Sequence, residues 1–197
     1  AIEGLRAEFG TRELDVDPAM ADIIEESVGF YEPEAGAEAT RELYRYPTIN
    51  LGTFEGGTAI NTVPASARAR VDVRLAAGVE TAAVLESIRE CIDGREGVYI
   101  TDVSWTQGTY EPLDSPFVEA SARAAERVVD DRVYRRSATG GGDAKTFRRN
   151  GVPTVEFGFG TQTAHGTDEY TTVEALDRNA RAYAALPHEY ADRIEAS

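Results

Sequence analysis

Only two histidines occur in 197 residues, so imidazole chemistry must run through His165 or His188. His188 follows Pro187 in a polar stretch and reads as a surface residue. His165 lies in Thr163-Ala164-His165-Gly166-Thr167-Asp168-Glu169, just beyond the apolar run Val152 to Phe157 and a Gly-rich loop. Open α/β sheets place their functional groups in such strand-end loops. Gly166 and its small polar neighbours resist helix, so His165 and Glu169 do not read as helical i,i+4 zinc ligands, and a turn is expected. From its surroundings alone His165 is a metal ligand, an acid/base or a satisfied structural histidine. A Ser-His-Asp triad lacks the Gly-x-Ser-x-Gly elbow that would support it.

Gly140-Gly141-Gly142-Asp143-Ala144-Lys145-Thr146 invites a phosphate-loop reading, but Ala144 stands where that loop needs glycine before the lysine. A glycine-rich turn, or a loop whose backbone N–H groups approach an anionic substrate group, fits better. Gly158-Phe159-Gly160 lacks the later glycine of a dinucleotide fingerprint, since Thr163 stands there. Cys91 falls on an apolar helix face and reads as packing. As the single cysteine it excludes an internal disulfide and a multi-cysteine zinc site, and a reducing compartment fits. Arg68, Arg70, Asp72 and Arg74 form a row that suits a solvated sheet face, although Arg74 could grip a carboxylate. Asn61, between Ile60 and Val63-Pro64, is by default a turn residue.

The elements that must position these residues follow from periodicity. Ile2, Leu5 and Phe9 recur as in a helix ended by Gly10. From Thr11 to Tyr46 the chain is acidic, with short helical patterns at Met20 to Ile24 and Ala37 to Leu43, and reads as a surface excursion. Ile49 and Leu51, then Ala67, Val71, Val73 and Leu75, alternate with polar residues as two half-buried strands. Val84, Leu85, Ile88, Cys91 and Ile92 mark a helix face ending near Gly94, and Tyr99, Val103 and Trp105 one face of a further strand. This order suits an α+β module, an antiparallel sheet with helices on one face. Gln107 to Pro112 reads as a domain junction, dividing the chain into 1–108 and 109–197. The second part opens on a helix capped by Asp114-Ser115-Pro116, continues to a buried strand at Val152 to Phe157, and closes with a helix. A Thr171/Glu174 capping box should open that helix and Pro187 end it. This is a partial α/β pattern.

Hydrophobic residues at 42% without low-complexity tracts describe a globular chain, and no apolar run is long enough to span a membrane. Lys+Arg total 20 against Asp+Glu 35, a formal net charge of −15, which makes nucleic acid an improbable partner. Lys145 is the single lysine. Such an acid excess opposes compaction unless salt screens it, the condition of a halophile's cytoplasmic protein. The opening Ala1-Ile2-Glu3-Gly4-Leu5, without Met or a signal-like segment, suggests an upstream part.

Two stretches together resemble the dinuclear-zinc amidohydrolases that include aminoacylase, acetylornithine deacetylase, carboxypeptidase G and succinyl-diaminopimelate desuccinylase. Pro47-Thr48-Ile49-Asn50-Leu51-Gly52, Gly56-Gly57, Asn61-Thr62-Val63-Pro64 and Val71-Asp72-Val73-Arg74 resemble the lid or dimerisation domain. Gly141-Gly142-Asp143-Ala144, Gly151 to Val155, Phe157-Gly158, Ala164-His165 and Asp168-Glu169-Tyr170 resemble the C-terminal part of the catalytic domain. The resemblance implies that His165 is the last metal ligand, and that Asn61 and Arg74 are lid residues reaching substrate, often across a homodimer. It implies that Gly141, Gly142 and Asp143 line the substrate's carboxylate end. Lys145 stands where desuccinylases carry arginine, and lysine cannot make the bidentate grip. It further implies two zinc ions, or cobalt or manganese, not retained by this chain, with the other ligands, the general base and the lid's first strand in an N-terminal half before Ala1. The expected parent is a cytoplasmic homodimer hydrolysing small N-acyl amino acids or short peptides. The alternative is a non-catalytic dimerisation or substrate-lid module.

Overall fold

The computed structural model describes residues 2–138 and 140–195. In chain order the elements are α1 (Ile2–Glu8), a 3-10 turn (Pro18–Met20), α2 (Ala21–Ala35), α3 (Ala37–Arg45), β1 (Thr48–Gly56), β2 (Ala67–Arg74), α4 (Thr81–Asp93), α5 (Pro116–Glu126), α6 (Ala144–Arg149) and α7 (Val173–Glu195). The two strands form an antiparallel hairpin, and the part up to α4 is the expected α+β module.

The acidic stretch 11–46, expected as a surface excursion, instead supplies much of the core. Met20, Ile23 and Ala77 are buried together, with Val16, Ile24, Tyr110 and Leu113 against them. Tyr44, Ala76 and Val79 form a neighbouring cluster with Leu14, Leu75 and Val84. The buried face of α2 is narrow, Ile23, Ser27 and Val28, and the glutamates around it conceal it in sequence. Gly36, at φ 82°, ends α2 and starts α3: its N–H donates to Glu32 O and its carbonyl accepts from Thr40 N–H. Gly78 is also left-handed, φ 81°, and a Cβ there would meet Met20 Cγ at 2.8 Å, so glycine lets the chain lie against this core.

Residues beyond α5 dock on the same helices. Ser27 Oγ donates to Ile23 O at 2.7 Å and accepts Ser137 N–H at 3.0 Å, while Tyr44 Oη donates to Ser137 O at 2.9 Å. Burial is the main influence on the Tyr44 phenol and pushes its pKa up. Ser27→Ala leaves the Ser137 N–H without its acceptor, and chemical denaturation should show a loss of about 1–3 kcal/mol.

In β1 and β2, Ile49 pairs with Val73, Leu51 with Val71 and Phe54 with Ala69 on one face. Thr48–Arg74, Asn50–Asp72, Thr53–Arg70 and Glu55–Arg68 occupy the other. A register shift at Gly52 separates the half-buried base from an exposed outer part, where Phe54 is 64% exposed. The expected strand at Tyr99 to Trp105 forms no ladder among the described residues.

From residue 109 on, the described residues form three helices and extended stretches without a strand ladder. Ala120, Ala124 and Ala182 are wholly buried, so α5 and α7 approach closely. Phe117 and Tyr190 meet edge to face at 5.2 Å, and Glu119–Arg193 (2.6 Å) and Arg127–Glu189 bridge the pair. These contacts explain why α7 runs through Pro187 to Glu195, contrary to the expected stop: packing on α5 holds the turns after the proline. Its N-cap is Thr172, whose hydroxyl accepts Ala175 N–H at 3.1 Å, one residue later than the expected box.

Candidate functional site

The expected junction is heavily bonded on both sides. Gln107 accepts Thr81 N–H at 3.0 Å and donates to Val79 O at 2.6 Å, holding the start of α4. Tyr110 Oη donates to Asp17 Oδ2 at 2.8 Å. The Ala19 N–H, then this hydroxyl, hold the Asp17 carboxyl below its usual pKa, and the carboxylate in turn pushes the Tyr110 phenol up. The contribution of Asp17 is complete above its ordinary pKa and fades as pH falls through the lowered one. On the other side Arg148 donates to Thr154 O (2.8 Å) and Thr109 O (3.1 Å) and pairs with Glu111 at 3.6 Å, while Glu111 accepts Thr154 N–H at 3.0 Å.

This lock carries the extended stretch 152–160, where a buried strand was expected. Val152 is 48% exposed. Beyond Thr154 the stretch is held by side chains of α7, not by a neighbouring strand. Asn179 accepts Phe159 N–H (2.7 Å) and donates to Phe159 O (2.8 Å), as a strand neighbour would, and Tyr183 Oη donates to Phe157 O. The Phe157 ring meets Phe159 and Tyr183 edge to face. Among the described residues the backbone groups of Glu156, Gly158 and Gly160 make no hydrogen bond. On α7, Val173, Leu176 and Tyr183 are exposed at 84%, 56% and 49%, so an apolar side of the helix lies open.

His165 follows on an exposed turn and has φ 65°. Its backbone N–H donates to Glu169 Oε2 at 2.9 Å, and Gly166 N–H to Thr163 O at 2.9 Å. The Thr163 hydroxyl closes the loop, accepting Tyr170 N–H (3.2 Å) and donating to Tyr170 O (3.1 Å). His188 is exposed on α7.

Gly141, Gly142, Asp143 and Lys145 lie together at the start of α6. Lys145 Nζ donates to Thr106 Oγ1 at 3.3 Å, and the Glu156 carboxylate lies over Gly142, where a Cβ would collide with it. Asn61 is exposed in the β1–β2 loop, whereas Arg74 closes β2 at the hairpin base and pairs with Asp72 at 2.8 Å. Seven residues of strand separate Arg74 from the loop end of β2, roughly 23 Å at strand rise. Within one chain the two therefore do not converge, and no hydrogen bond or ion pair joins Asn61 to His165 or to the glycine loop among the described residues.

Among the described residues no group of three or more His, Cys, Asp or Glu could hold a metal ion. The turn offers one exposed imidazole, His165, and the Glu169 carboxylate beside it accepts a backbone N–H. These residues do not by themselves fit a two-metal centre, which needs several ligands per ion. Sequence reading missed Arg148, Glu111, Asn179 and Tyr183. Only the i,i+4 spacing of Asn179 and Tyr183 against the alternating Phe157 and Phe159 offered a signal.

Residues 10–99 match the peptidase dimerisation domain of the M20 peptidases. A probable carboxypeptidase of Aspergillus terreus is 30% identical over 180 residues, 86% of this chain and 38% of that protein. The similarity therefore runs through both the hairpin module and the His165 segment. The chain belongs to the M20 peptidase family. Another M20 relative, the succinyl-diaminopimelate desuccinylase of Caulobacter vibrioides, is 35% identical over 143 residues, 68% of the chain and 36% of that protein. The crystal structure of an M20 family metallo-carboxypeptidase from Sulfolobus solfataricus shares the fold, with a TM-score of 0.64 at 20% identity, covering 96% of this chain and 47% of that one. This M20 chain thus spans 38% and 36% of the two curated relatives and 47% of the crystallised carboxypeptidase. None of its helices is long and apolar enough to cross a membrane, among the described residues.

Proposed function

We propose that this chain is the lid (1–108) and C-terminal catalytic segment (109–197) of a metal-dependent hydrolase acting on the amide bond of N-acyl amino acids or short peptides. The observation that carries the reading is His165, an exposed imidazole on a cross-braced turn, in a chain spanning 38% of a carboxypeptidase relative. In the complete protein His165 would be one ligand of a zinc, cobalt or manganese pair, with the other ligands outside this chain. Asn61 and Arg74, far apart within one chain, would act on substrate in a homodimer. Gly141, Gly142, Asp143 and Lys145 would line the substrate's end. The open backbone edge at Glu156, Gly158 and Gly160 and the exposed apolar face of α7 support a segment that packs on further catalytic-domain structure. The acid excess supports a halophile's cytoplasmic protein.

The candidate substrates are acetylornithine, a succinylated diamino acid, an N-acetylated amino acid and a dipeptide, the carboxypeptidase and desuccinylase relatives favouring the peptide and succinyl classes. The complete reading frame, supplied with zinc or cobalt, should hydrolyse at least one of them, and the 197-residue chain alone none. Turnover by this chain that zinc restores after chelation would overturn the division of ligands. A lid module without catalysis is the second reading, favoured by the dimerisation-domain match. Sedimentation at high salt should show a dimer, and monomer alone would count against both the partner arrangement and the Asn61 role.

A further inference from the structure

We propose that Glu169 is a positioning residue for His165: its carboxylate fixes the left-handed turn from which the imidazole is presented. The inference rests on the reading of His165 as the functional side chain of this loop. Among the described residues His165 is the only non-glycine with positive φ. Histidine tolerates that region better than most residues, yet an L side chain stays there only when its surroundings favour it over the extended and right-handed alternatives. The surroundings here are specific. The His165 N–H points at Glu169 Oε2, 2.9 Å away, and the charged acceptor makes this the stronger kind of hydrogen bond. Glu169 is itself anchored, because the next residue, Tyr170, exchanges hydrogen bonds with the Thr163 hydroxyl through both its N–H and its carbonyl. Thr163 also accepts Gly166 N–H through its carbonyl, so the loop is braced on both sides of His165.

The direction in which Cβ leaves the backbone follows from φ and ψ, so releasing this turn would swing the imidazole while leaving the rest of the chain in place. The loop is exposed and contributes no residue to the buried core, which separates this role from a general packing one.

Backbone and imidazole NMR of the full 197-residue chain tests this directly. In Glu169→Ala the His165 amide should exchange roughly tenfold faster, the scale of one lost hydrogen bond. Its Cα and Cβ shifts should leave the left-handed pattern, and its imidazole signals should broaden or split while those of His188 stay put. Glu169→Gln keeps an oxygen acceptor and should restore a single set of signals. The melting temperature should hold across all three proteins. Unchanged His165 exchange and shifts in Glu169→Ala would overturn the proposal, as would failure of Glu169→Gln to rescue them. Full turnover by His165→Ala in the complete protein would sink the functional reading of His165, leaving the NMR result standing, so the two failures are distinguishable.

Discussion

Arg148→Met should lower the melting temperature by roughly 6–12 °C. The guanidinium is 18% exposed and the Glu111 carboxylate facing it 14%. Removing one partner leaves the other charged in a poorly solvated place, which costs about 3 kcal/mol or more. A chain of this size shifts by about 2–4 °C per kcal/mol. Arg148 is also the donor to Thr154 O and Thr109 O, so its loss unfastens the stretch 152–160 from the junction. Glu111→Gln should cost less, because it keeps an oxygen for Thr154 N–H. The double variant Arg148→Met/Glu111→Leu should regain part of the loss, since no orphaned charge remains. Thermal melts of the four proteins by circular dichroism check this, and a melting point for Arg148→Met within 2 °C of wild type would show that the lock contributes little.

The second large effect is salt. Raising KCl from about 0.1 M to molar concentration shortens the screening length from about 10 Å to about 3 Å. With 35 acidic residues against 20 basic ones, repulsion among unmatched carboxylates is what the salt removes. A rise in melting temperature on the order of 10 °C is expected. Exposed pairs such as Arg41–Glu25 and Arg45–Glu13 weaken in the same salt, but pairs of that kind contribute little each. A flat melting curve across that range would mean that self-repulsion does not limit this fold.

Local regularities were legible in the sequence, and features that depend on distant partners were not. Helices α4 and α5 followed from apolar spacing, and the strands β1 and β2 from alternation at Ile49 and Leu51 and at Val71 and Val73. Helix α2 was legible as a helix but not as core, because its buried face is three residues wide among glutamates. Tyr99 to Trp105 and Val152 to Phe157 have strand composition, yet a strand is completed by its neighbour, and among the described residues none pairs with them. Pro187 was read by its usual effect on a helix, which the Phe117–Tyr190 and Glu119–Arg193 contacts outweigh. At the candidate site the turn around His165 was legible from Gly166 and its small neighbours. Its left-handed backbone and the Glu169 bond that accompanies it were not, because they depend on where Tyr170 and Thr163 meet.

The clasp of Asn179 on Phe159 covers one edge of the 152–160 stretch, and on the other the lock reaches no further than Thr154, leaving Glu156, Gly158 and Gly160 bare beside the apolar side of α7. An uncovered strand edge next to aromatic residues is a template for other chains to stack upon. Mutual repulsion between molecules of charge −15 keeps such edges apart in dilute buffer. Molar salt therefore pulls in two directions: each molecule holds its own fold more firmly while losing the repulsion that keeps it from clumping with its neighbours. Conformational and colloidal stability are opposed in this chain, and an occupied edge would reconcile them.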